Sequence, residues 1–462
     1  MRMSRLFVAN RGEIAVRILT AARSIGLETV LGVSAADRRG LGPELADRVV
    51  VLGPAVPARS YLDEKLTVQA AISTGCDALH PGYGFLSERA SLARLCESEG
   101  IVFVGPRAET IDALGDKLSA RKLAVASDVP LLPGTPALHS ADDACADAEE
   151  IGYPVVIKAS AGGGGRGMFL AERADDIRGG FTRASEEARA AFGSGLMYME
   201  RFIRNARHVE VQVFGDGNGK VLHFGERDCS VQRRYQKLIE ESPCGILPEG
   251  TRARLHAAAV KLASDLAYRN AGTVEFLYDS DTDEFYFIEV NARIQVEHPV
   301  SELVTDADLV ALQLKVAFGE PLELAQSDIE SRGHAIECRI NAEDPDHGFR
   351  PAPGDITSWS APGGDGIRLD TYCRAGERVS PYYDSMIGKL IARGADRDDA
   401  IERLDLALGA FEIGGLRTNL VLQQFVVRHP DFRNNAISTR WLEQTGLPAF
   451  AERQQEPHHG AH

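Results

Sequence analysis

The chain has 462 residues, of which 51 are Lys or Arg and 67 are Asp or Glu, giving a formal net charge of −16 at pH 7. Its length predicts two to four packed domains, and its hydrophobic content of 44% is typical of a globular protein rather than a disordered or fibrous one. Because the negative charge repels phosphate groups and anionic lipid, we expect neither nucleic acid nor a membrane surface as a partner.

The first part of the chain alternates short β-rich runs with helical stretches. The runs cover residues 6–9, 29–34, 78–80 and 101–105, and helices are predicted over 13–25 and 64–74. This alternation predicts a doubly wound parallel sheet in a first domain, residues 1–115. The first strand-to-helix turn, residues 9–13, lacks the glycine triplet of a dinucleotide-binding fold, so this domain need not hold a nucleotide itself.

A second, central domain is predicted over residues 116–330. A stretch rich in Pro and Gly, residues 129–136, looks like a boundary, and we expect a lid subdomain at about 131–203. A third, α+β unit is predicted over 331–447, with strands at 334–341, 356–360 and 367–371 and a helix at 398–410. Residues 448–462 are expected to form a flexible tail.

A glycine run occupies residues 162–167 and contains Arg166. It lies between a strand ending at Lys158 and the strand-like residues 168–170, so it predicts the tip of a β-hairpin rather than the strand–helix turn of a dinucleotide site. Backbone N–H groups without side chains allow close approach to phosphates. A merely flexible surface loop is the alternative. With Lys158 just before the run and Arg166 inside it, we favour contact with phosphates.

Two alternating strands, residues 272–278 and 284–291, are predicted to form an antiparallel hairpin. Because the positions of Glu275 and Glu289 average to the centre of that hairpin, the two carboxylates should face each other. Glu289, Asn291 and Arg293 follow at intervals of two and should share one face, while Ile288 and Val290 point into the core. Two opposed carboxylates are destabilising alone, but Mg²⁺ reverses that sign, so the hairpin predicts a magnesium site.

Arg233, Arg234 and Lys237 form a cationic cluster in an otherwise acidic chain. Such a cluster could clamp a small anion or a phosphate. A solvated charged turn has the same spacing, so both interpretations stay open.

The amino end shows no export signal, and no apolar run is long enough to cross a membrane. The seven cysteines are scattered and include no Cys-x-x-Cys pair, which argues against a disulfide framework or a zinc site. We therefore expect a protein of the reducing cytoplasm.

Seven longer motifs, taken in this order, resemble the biotin carboxylase component of biotin-dependent carboxylases, an ATP-grasp family. They are Ala-Asn-Arg-Gly-Glu-Ile-Ala at 9–15, His-Pro-Gly-Tyr-Gly-Phe-Leu-Ser-Glu at 80–88, Lys-Ala-Ser at 158–160 with the glycine run, Glu-Arg-Asp-Cys-Ser at 226–230, Glu-Val-Asn-Ala-Arg-Ile-Gln-Val-Glu-His-Pro at 289–299, Glu-Cys-Arg-Ile-Asn-Ala-Glu at 337–343 and Tyr-Tyr-Asp-Ser-Met-Ile-Gly-Lys at 382–389. The resemblance covers residues 4 to about 445. It implies an N-terminal parallel-sheet domain, a central ATP-grasp domain with a mobile lid, and a C-terminal biotin carboxylase domain.

The resemblance also implies an ATP- and bicarbonate-dependent carboxylation of biotin, with a role for each matching residue. The nucleotide and its phosphates are implied to contact Lys117, Lys158, Gly164, Gly165, Glu200, Arg201, Phe202, Ile203, His208, Gln232 and Tyr235. Magnesium or manganese is implied to bind Glu275, Glu289 and Asn291. Bicarbonate is implied to bind Lys237, Arg293 and the Val296 backbone.

Two further residues carry the chemistry that the resemblance implies. Glu297 matches the general base that deprotonates bicarbonate, so that bicarbonate can attack the γ-phosphate of ATP to give carboxyphosphate. Arg339 matches the residue that stabilises the biotin enolate formed after carboxyphosphate breaks down. The glycine hairpin is implied to close over the site and exclude water.

This sequence departs from the family pattern at Tyr235, where the family has His. A tyrosine hydroxyl can still reach a ribose or phosphate oxygen but cannot carry the charge of an imidazolium. The segment at residues 241–245 is also slightly shorter than the usual proline-rich form, which affects loop geometry rather than chemistry.

None of the six methionines is followed by Lys, so the biotin-attachment signature is absent and biotin is expected on a separate carrier protein. A homodimer and a carboxyltransferase are further implied partners. The final acceptor stays open between acetyl-CoA, propionyl-CoA, pyruvate and others. The alternatives are a different ATP-grasp ligase, against which Arg339 argues, and a non-catalytic ATP-binding protein, against which Lys237, Glu297 and Arg339 together argue.

Overall fold

The computed structural model describes residues 4–160 and 167–455. Its first part alternates strands and helices: β1 Arg5–Val8, α1 Gly12–Ser24, β2 Glu28–Ser34, α2 Leu41–Leu45, β3 Arg48–Gly53, α3 Glu64–Ser73, β4 Ala78–His80, α4 Ala90–Ser98, β5 Val102–Phe103 and α5 Ala108–Gly115. The strands pair in parallel in the order β3-β2-β1-β4-β5. The predicted doubly wound parallel sheet is confirmed, although β5 is shorter than the predicted run.

The turn after β1 and the first turn of α1 make contacts both within this domain and with the C-terminal part of the chain. Asn10 Nδ2 donates to the Pro81 carbonyl at 2.6 Å, which joins the turns after β1 and β4. Glu13, in the first turn of α1, is buried with its carboxylate 3.2 Å from Lys389 Nζ in a distant strand. The N-terminal domain therefore supplies a buried counter-charge to the C-terminal part of the chain.

A second unit carries a small antiparallel sheet flanked by helices. Its elements are α6 Lys117–Ala126, α7 Ala141–Ile151, β6 Val155–Ala159, β7 Met168–Ala171, α8 Ala174–Phe192 and β8 Met197–Arg201, with strand order β7-β6-β8. β6 and β7 pair with Lys158 opposite Met168, so the predicted strand–loop–strand hairpin is confirmed on both sides of the glycine run. Gly164 and Gly165 lie outside the described residues.

One long antiparallel sheet dominates the remainder. Its elements up to residue 317 are β9 Ala206–Asp216, β10 Val221–Arg233, β11 Gln236–Ser242, α9 Glu249–Asp265, β12 Arg269–Asp279, β13 Glu284–Asn291, α10 His298–Thr305 and α11 Leu309–Ala317. The later ones are β14 His334–Asn341, β15 Glu343–Asp344, β16 Arg350–Pro351, β17 Gly354–Asp355, β18 Ser358–Ser360, β19 Ile367–Thr371, β20 Arg378–Val379, β21 Met386–Gly394, α12 Arg397–Ala410, β22 Glu412–Gly414, α13 Leu420–Arg428, α14 Pro430–Arg433 and α15 Leu447–Gln455.

This long sheet runs in the order β13-β12-β9-β10-β11-β14-β21-β19. The strands expected in a separate third unit thus continue the sheet of the central unit, because β11 pairs directly with β14. Of the predicted strand at 356–360, only Ser358–Ser360 forms, as β18 paired with β22, while β17 lies just before the predicted range and pairs with β20. The continuous sheet places the side chains of β9, β11, β12 and β14 on one rigid surface.

The end of the chain differs from the flexible tail expected from residue 448. α15 continues to Gln455, and Phe450 is buried in a cluster with Val426, Phe432 and Trp441. Residues 456–462 lie outside the described residues. Within residues 4–160 and 167–455, no helix has the length and apolar character needed to cross a membrane.

Candidate active site

The β12–β13 hairpin brings the predicted carboxylates together. The observed register pairs Glu275 with Glu289, as predicted, and also pairs Glu275 with Glu210 on β9, so three glutamates form a row across three strands. A bulge between Glu275 and Phe276 interrupts the alternation. Ile288 therefore lines a cavity and does not enter the core, contrary to the prediction, while Val290 is buried in the core as expected.

Asn291, the last residue of β13, and Arg293, just beyond it, extend this row. Asn291 Nδ2 donates to Glu275 Oε1 at 2.9 Å, and Arg293 Nη2 donates to Asn291 Oδ1 at 2.9 Å. Arg293 is anchored from the other side by Glu88, whose Oε2 lies 3.0 Å from Arg293 Nε. The predicted spacing of two therefore does place Glu289, Asn291 and Arg293 around one cavity.

Lys237, near the start of β11, is the centre of a cluster of three carboxylates. Its Nζ donates to Glu210 Oε2 at 2.6 Å, to Glu275 Oε1 at 2.9 Å and to Glu297 Oε1 at 2.7 Å. Burial alone would lower the pKa of Lys237, but these three carboxylates outweigh it and raise the pKa well above its ordinary value. Lys237 is thus a permanent cation inside the protein.

Glu297 lies between Lys237 and Arg339. Arg339 Nη2 donates to Glu297 Oε2 at 3.0 Å, so both oxygens of this fully buried carboxylate face a cation. Burial would raise the pKa of Glu297, but Lys237, Arg339 and Arg227 outweigh it and hold the pKa well below its usual range. Glu297 is therefore ionised in this arrangement.

Two adjoining cavities meet at this cluster. The larger, about 610 Å³, is lined by Lys237, Arg293, Val296, Arg339 and the tip of the β10–β11 hairpin, among others. The smaller, about 180 Å³, is lined by Lys117, Lys158, Tyr198, Arg201, Phe202, Ile203, Gln232 and Ile288 among others. His208, Tyr235, Glu275 and Glu289 line both cavities, so they stand where the two meet.

The cationic side chains of the smaller cavity are held to different degrees. Lys158 Nζ donates to Glu200 Oε2 at 2.6 Å, and Arg121 also donates to Glu200. Lys117 Nζ lies 3.5 Å from Glu289 Oε2, a looser contact between partly exposed side chains. Glu200 thus lies beneath the cavity as the counter-ion of Lys158, while the adjacent residues Arg201, Phe202 and Ile203 line the cavity itself.

His208 reaches the carboxylate row directly. Its Nε2 lies 3.0 Å from Glu275 Oε2. Burial alone would lower the pKa of His208, but Glu275 outweighs it and the pKa is raised. His208, Glu210 and Glu275 also place one ligand atom each within 4.8 Å of one another, but the Lys237 ammonium already contacts both glutamates.

Of the two paired carboxylates, that of Glu289 is the more available as a ligand for a divalent cation. Glu275 already accepts hydrogen bonds from Lys237, Asn291 and Gln295, whereas the Glu289 carboxylate is 31% exposed and has Lys117 as a loose partner at 3.5 Å. Carboxylate and amide oxygens are hard ligands of the kind that Mg²⁺ takes, and both glutamates and Asn291 line one cavity. The residues present therefore fit the ion predicted from the sequence.

The cationic cluster expected at Arg233, Arg234 and Lys237 does not form a common clamp. Lys237 is buried among carboxylates, and Arg233 lies over the Phe349 ring with 3.9 Å from its guanidinium carbon to the ring centroid. Arg234 and Tyr235 form the two-residue turn of the β10–β11 hairpin, with φ of 48° and 64°. The turn separates the three cations, so neither interpretation of the sequence describes them fully.

Several residues of the site were not predicted from the sequence to have a role in it. Glu210 and Arg227 form a buried pair at 2.6 Å, and Glu240 accepts from Arg339 Nε at 2.6 Å. Lys389 Nζ donates to the Val296 carbonyl at 2.7 Å and so fixes that peptide. The alternation His208-x-Glu210-x-Gln212 within one apolar strand is the signal that could have found Glu210.

Comparisons with known proteins agree over most of the chain. Models of the biotin carboxylase N-terminal domain, the carbamoyl-phosphate synthase L chain ATP-binding domain and the biotin carboxylase C-terminal domain match residues 2–111, 116–325 and 337–444. The biotin carboxylase of Nostoc sp. is 46% identical over 445 residues, or 96% of this chain and 99% of the relative. The chain belongs to the biotin carboxylase family.

Solved biotin carboxylase structures extend this result to other carboxylases. The crystal structure of a biotin carboxylase–β,γ-ATP complex from Campylobacter jejuni matches with a TM-score of 0.93 and 44% identity, covering 96% of this chain and 99% of that one. The crystal structure of the biotin carboxylase component of a pyruvate carboxylase matches with a TM-score of 0.83 and 44% identity, covering 96% of this chain and 98% of that one. Membership of the family thus does not select one final carboxyl acceptor.

Proposed function

We propose that this chain is a biotin carboxylase that uses ATP and bicarbonate to carboxylate biotin on a separate carrier protein. The observation that carries the proposal is Glu297, a buried carboxylate held between Lys237 and Arg339 beside a cavity that adjoins the candidate nucleotide site. A buried base between two cations that line the larger cavity fits a reaction that joins a small anion to a transferred phosphoryl group.

Bicarbonate fits the part of the larger cavity lined by Lys237, Arg293 and Val296. The two cations would attract the anion, and the Lys389 contact with the Val296 carbonyl holds that peptide in place. The low pKa of Glu297 suits an ionised base but gives it little affinity for a proton. An incoming anion that draws Lys237 away from Glu297 would raise that pKa, so bicarbonate would itself activate its base.

ATP fits the smaller cavity, with Lys117 and Lys158 toward the phosphates and Arg201, Phe202, Ile203, His208, Gln232 and Tyr235 along the walls. The family resemblance assigns Gly164 and Gly165 to the lid of this site, and both lie outside the described residues. Glu275, Glu289 and Asn291 would hold Mg²⁺ or Mn²⁺, which neutralises charge on the phosphate groups when bound. The looseness of the Lys117–Glu289 contact leaves both side chains able to turn toward a ligand.

Arg339 is the group that would face the biotin ureido oxygen. It lines the larger cavity, and a guanidinium keeps its charge under all conditions of interest, which suits it to stabilise an enolate oxygen. Carboxyphosphate formed from bicarbonate and the γ-phosphate would give CO₂ and phosphate, and the phosphate would accept the ureido proton. Exclusion of water by the glycine hairpin would protect this intermediate.

The proposed partners are those that this half-reaction requires. With no methionine followed by Lys, biotin would arrive on a carrier protein, and a carboxyltransferase would complete the reaction. Acetyl-CoA is our default acceptor, and the pyruvate carboxylase relative keeps pyruvate as the alternative. We further propose a homodimer, a cytoplasmic location, and domain limits at 1–115, 116–330 with a lid at about 131–203, and 331–447.

The proposal is tested by measuring ADP and carboxybiotin from the purified chain with labelled bicarbonate. We expect ADP release that requires bicarbonate and a divalent cation, and labelled carboxybiotin only when biotin is present. A biotinylated carrier should react faster than free biotin, because its remote contacts orient the ureido ring. ADP release that ignores bicarbonate, or covalent biotin on this chain in an avidin blot, would contradict the proposal.

A further inference from the structure

Two buried carboxyl groups lie behind Arg339 and have no place in the proposed chemistry. Glu240 on β11 and Glu337 on β14 are directly opposite each other in the antiparallel register. Both side chains are fully buried. Like charges opposed across two strands repel, and burial removes the water that would screen them.

Most of their oxygens lack a hydrogen-bond donor. Glu240 Oε1 accepts from Arg339 Nε at 2.6 Å. Within residues 4–160 and 167–455, Glu240 Oε2 and both oxygens of Glu337 have no hydrogen-bond partner. An ionised carboxylate buried in this way costs several kcal/mol, whereas a neutral carboxyl costs far less.

The neighbouring charges come from every element packed around the pair. They are Lys237 on β11, Arg339 and the Cys338 thiol on β14, Lys389 on β21, Glu297 before α10 and the Cys229 thiol on β10. The cations are already engaged, since Lys237 contacts three other carboxylates and Lys389 contacts Glu13 and the Val296 carbonyl. Glu297 adds a third negative charge on the same side of Arg339.

We propose that Glu240 and Glu337 hold one proton between them at neutral pH and act as positioning residues for Arg339. The shared proton leaves Glu240 as an anion that fixes one edge of the guanidinium, while Glu337 stays neutral. The catalytic consequence rests on the proposed function, in which Arg339 stabilises the biotin enolate.

The direction of the pKa shifts supports this geometry. Burial, with Glu297 adding to it, raises the pKa of Glu240 to about 7 against the pull of Arg339. Burial also raises the pKa of Glu337 well above its ordinary value, and Glu240 adds to the effect. Two interacting carboxyls titrate as a pair, so these shifts describe the pair's protons rather than either residue alone.

The role of the proton is to set the charge around Arg339. With the pair singly protonated, the guanidinium faces Glu240 and Glu297; with both carboxyls ionised, a third negative charge lies behind it. That third charge would weaken the field that Arg339 offers to an oxyanion in the cavity. Loss of the shared proton should therefore slow carboxybiotin formation and leave the bicarbonate step less affected.

An infrared measurement tests the proton without relying on activity. A protonated carboxyl gives a C=O stretching band distinct from that of a carboxylate, and Glu337→Gln should remove one such band from the spectrum at neutral pH. Glu249→Gln, at a side chain that is 86% exposed, is the matched control and should leave the band unchanged. An unchanged band in Glu337→Gln would overturn the proposal, whether or not the chain carboxylates biotin.

Kinetics then test the positioning role. Glu337→Gln mimics the neutral form, so it should keep carboxybiotin formation within about threefold of the parent at neutral pH. It should also remove the decline at alkaline pH that ionisation of the pair causes. Glu240→Gln should lower carboxybiotin formation by about tenfold or more while ADP release falls less, since Arg339 loses its anchor.

A second variant guards against misfolding as an explanation. Glu337→Leu replaces a neutral carboxyl by an apolar group of similar size, so it should fold with stability close to that of the parent. A Glu337→Leu protein that fails to fold, or a Glu337→Gln protein that loses carboxybiotin as completely as Arg339→Ala, would show that the Glu337 charge is needed. Either result would overturn the shared proton.

Discussion

The two ends of the candidate site differ in how far their charges are already paired. At the Lys237 end, three carboxylate oxygens lie within 2.9 Å of one ammonium, and the cluster is buried. At the Glu289 end, the nearest cation is 3.5 Å away and both side chains are partly exposed. The first end is organised before any ligand binds, whereas the second depends on the nucleotide and its metal to complete it.

This difference predicts which variants fail by misfolding and which fail only in catalysis. A partner removed from the closed Lys237 cluster leaves buried charges uncompensated. A partner removed from the open Glu289 end leaves solvent or ligand to take its place. Variants at the Lys237 end should therefore lose both stability and turnover, whereas variants at the Glu289 end should lose turnover alone.

Lys237→Met should have the largest effect on stability and on activity. Glu210, Glu275 and Glu297 lose their shared cation, so the free energy of unfolding should fall by about 3–5 kcal/mol and ADP release should disappear. Denaturant unfolding and ADP release measure the two effects. The control is Lys261→Met, at an exposed side chain paired with Asp265, which should leave stability close to that of the parent. Equal stability of the Lys237 variant and the parent would contradict a closed cluster.

Glu297→Gln and Arg339→Ala should fail at different steps. Without its base, the Glu297 variant should lose ADP release with or without biotin, because carboxyphosphate does not form. The Arg339 variant should keep appreciable bicarbonate-dependent ADP release but lose carboxybiotin by about a hundredfold or more. Both products are measured under the same bicarbonate and biotin concentrations. A proportional loss of both products in both variants would mean that the two residues act in one step.

Glu289→Gln should affect the open end without unfolding the protein. The change removes a formal charge at constant volume from a side chain that is 31% exposed, so thermal unfolding should stay close to that of the parent. Turnover should fall to background across the magnesium range. ADP release against magnesium concentration gives the measurement. An unchanged magnesium dependence would remove Glu289 from the metal site.

The Glu240–Glu337 pair should make the stability of the fold decrease as pH rises, whereas a carboxylate paired with cations, such as Glu297, makes it increase. Glu240 has an ordinary pKa of 4.5 and a folded-state pKa of about 7, so the folded protein keeps a proton that the unfolded chain releases. Its stabilising effect is complete below about pH 4.5 and is lost as pH rises through about 7. The pKa of Glu337 is raised in the same direction, so Glu337→Gln, which cannot ionise, should gain stability relative to the parent as pH rises. Melting temperatures of both proteins across this range provide the check, and a constant difference would contradict the shift.

Local patterns in the sequence predicted those parts of the site that lie on consecutive strands. The hairpin arithmetic placed Glu275 opposite Glu289 because two antiparallel strands joined by a short turn leave little freedom of register. Ile288 was misplaced because the bulge beside Glu275 depends on packing that alternation does not encode. The parallel N-terminal sheet was also predicted from a local pattern, because its strands and helices alternate regularly along the chain.

Contacts between distant segments could not be predicted in this way. Glu337 meets Glu240 across 97 positions of sequence only because β14 joins the sheet beside β11. Lys389 reaches Glu13 of the N-terminal domain through tertiary packing alone. The family resemblance named Arg339 and included Glu337 in the same motif without giving it a role, and it did not include Glu240.

Tyr235→His should have the smallest effect on activity of these variants. Tyr235 lines both cavities, so it lies between the Lys237 end and the Glu289 end of the site. Its φ of 64° lies in the left-handed region, which His tolerates better than most residues, so the turn should persist. Tyr235 is 56% exposed, and an exposed charge contributes about 0.2–1 kcal/mol, which is about 1.5- to 5-fold in affinity. A histidine should therefore lower the KM for ATP by that factor at about pH 6, where it is charged, and by less at about pH 8. Tyr382→His, at a similarly exposed tyrosine outside the nucleotide cavity, is the control and should show no such pH dependence. An equal KM at both pH values in the Tyr235 variant would place this side chain away from the phosphates.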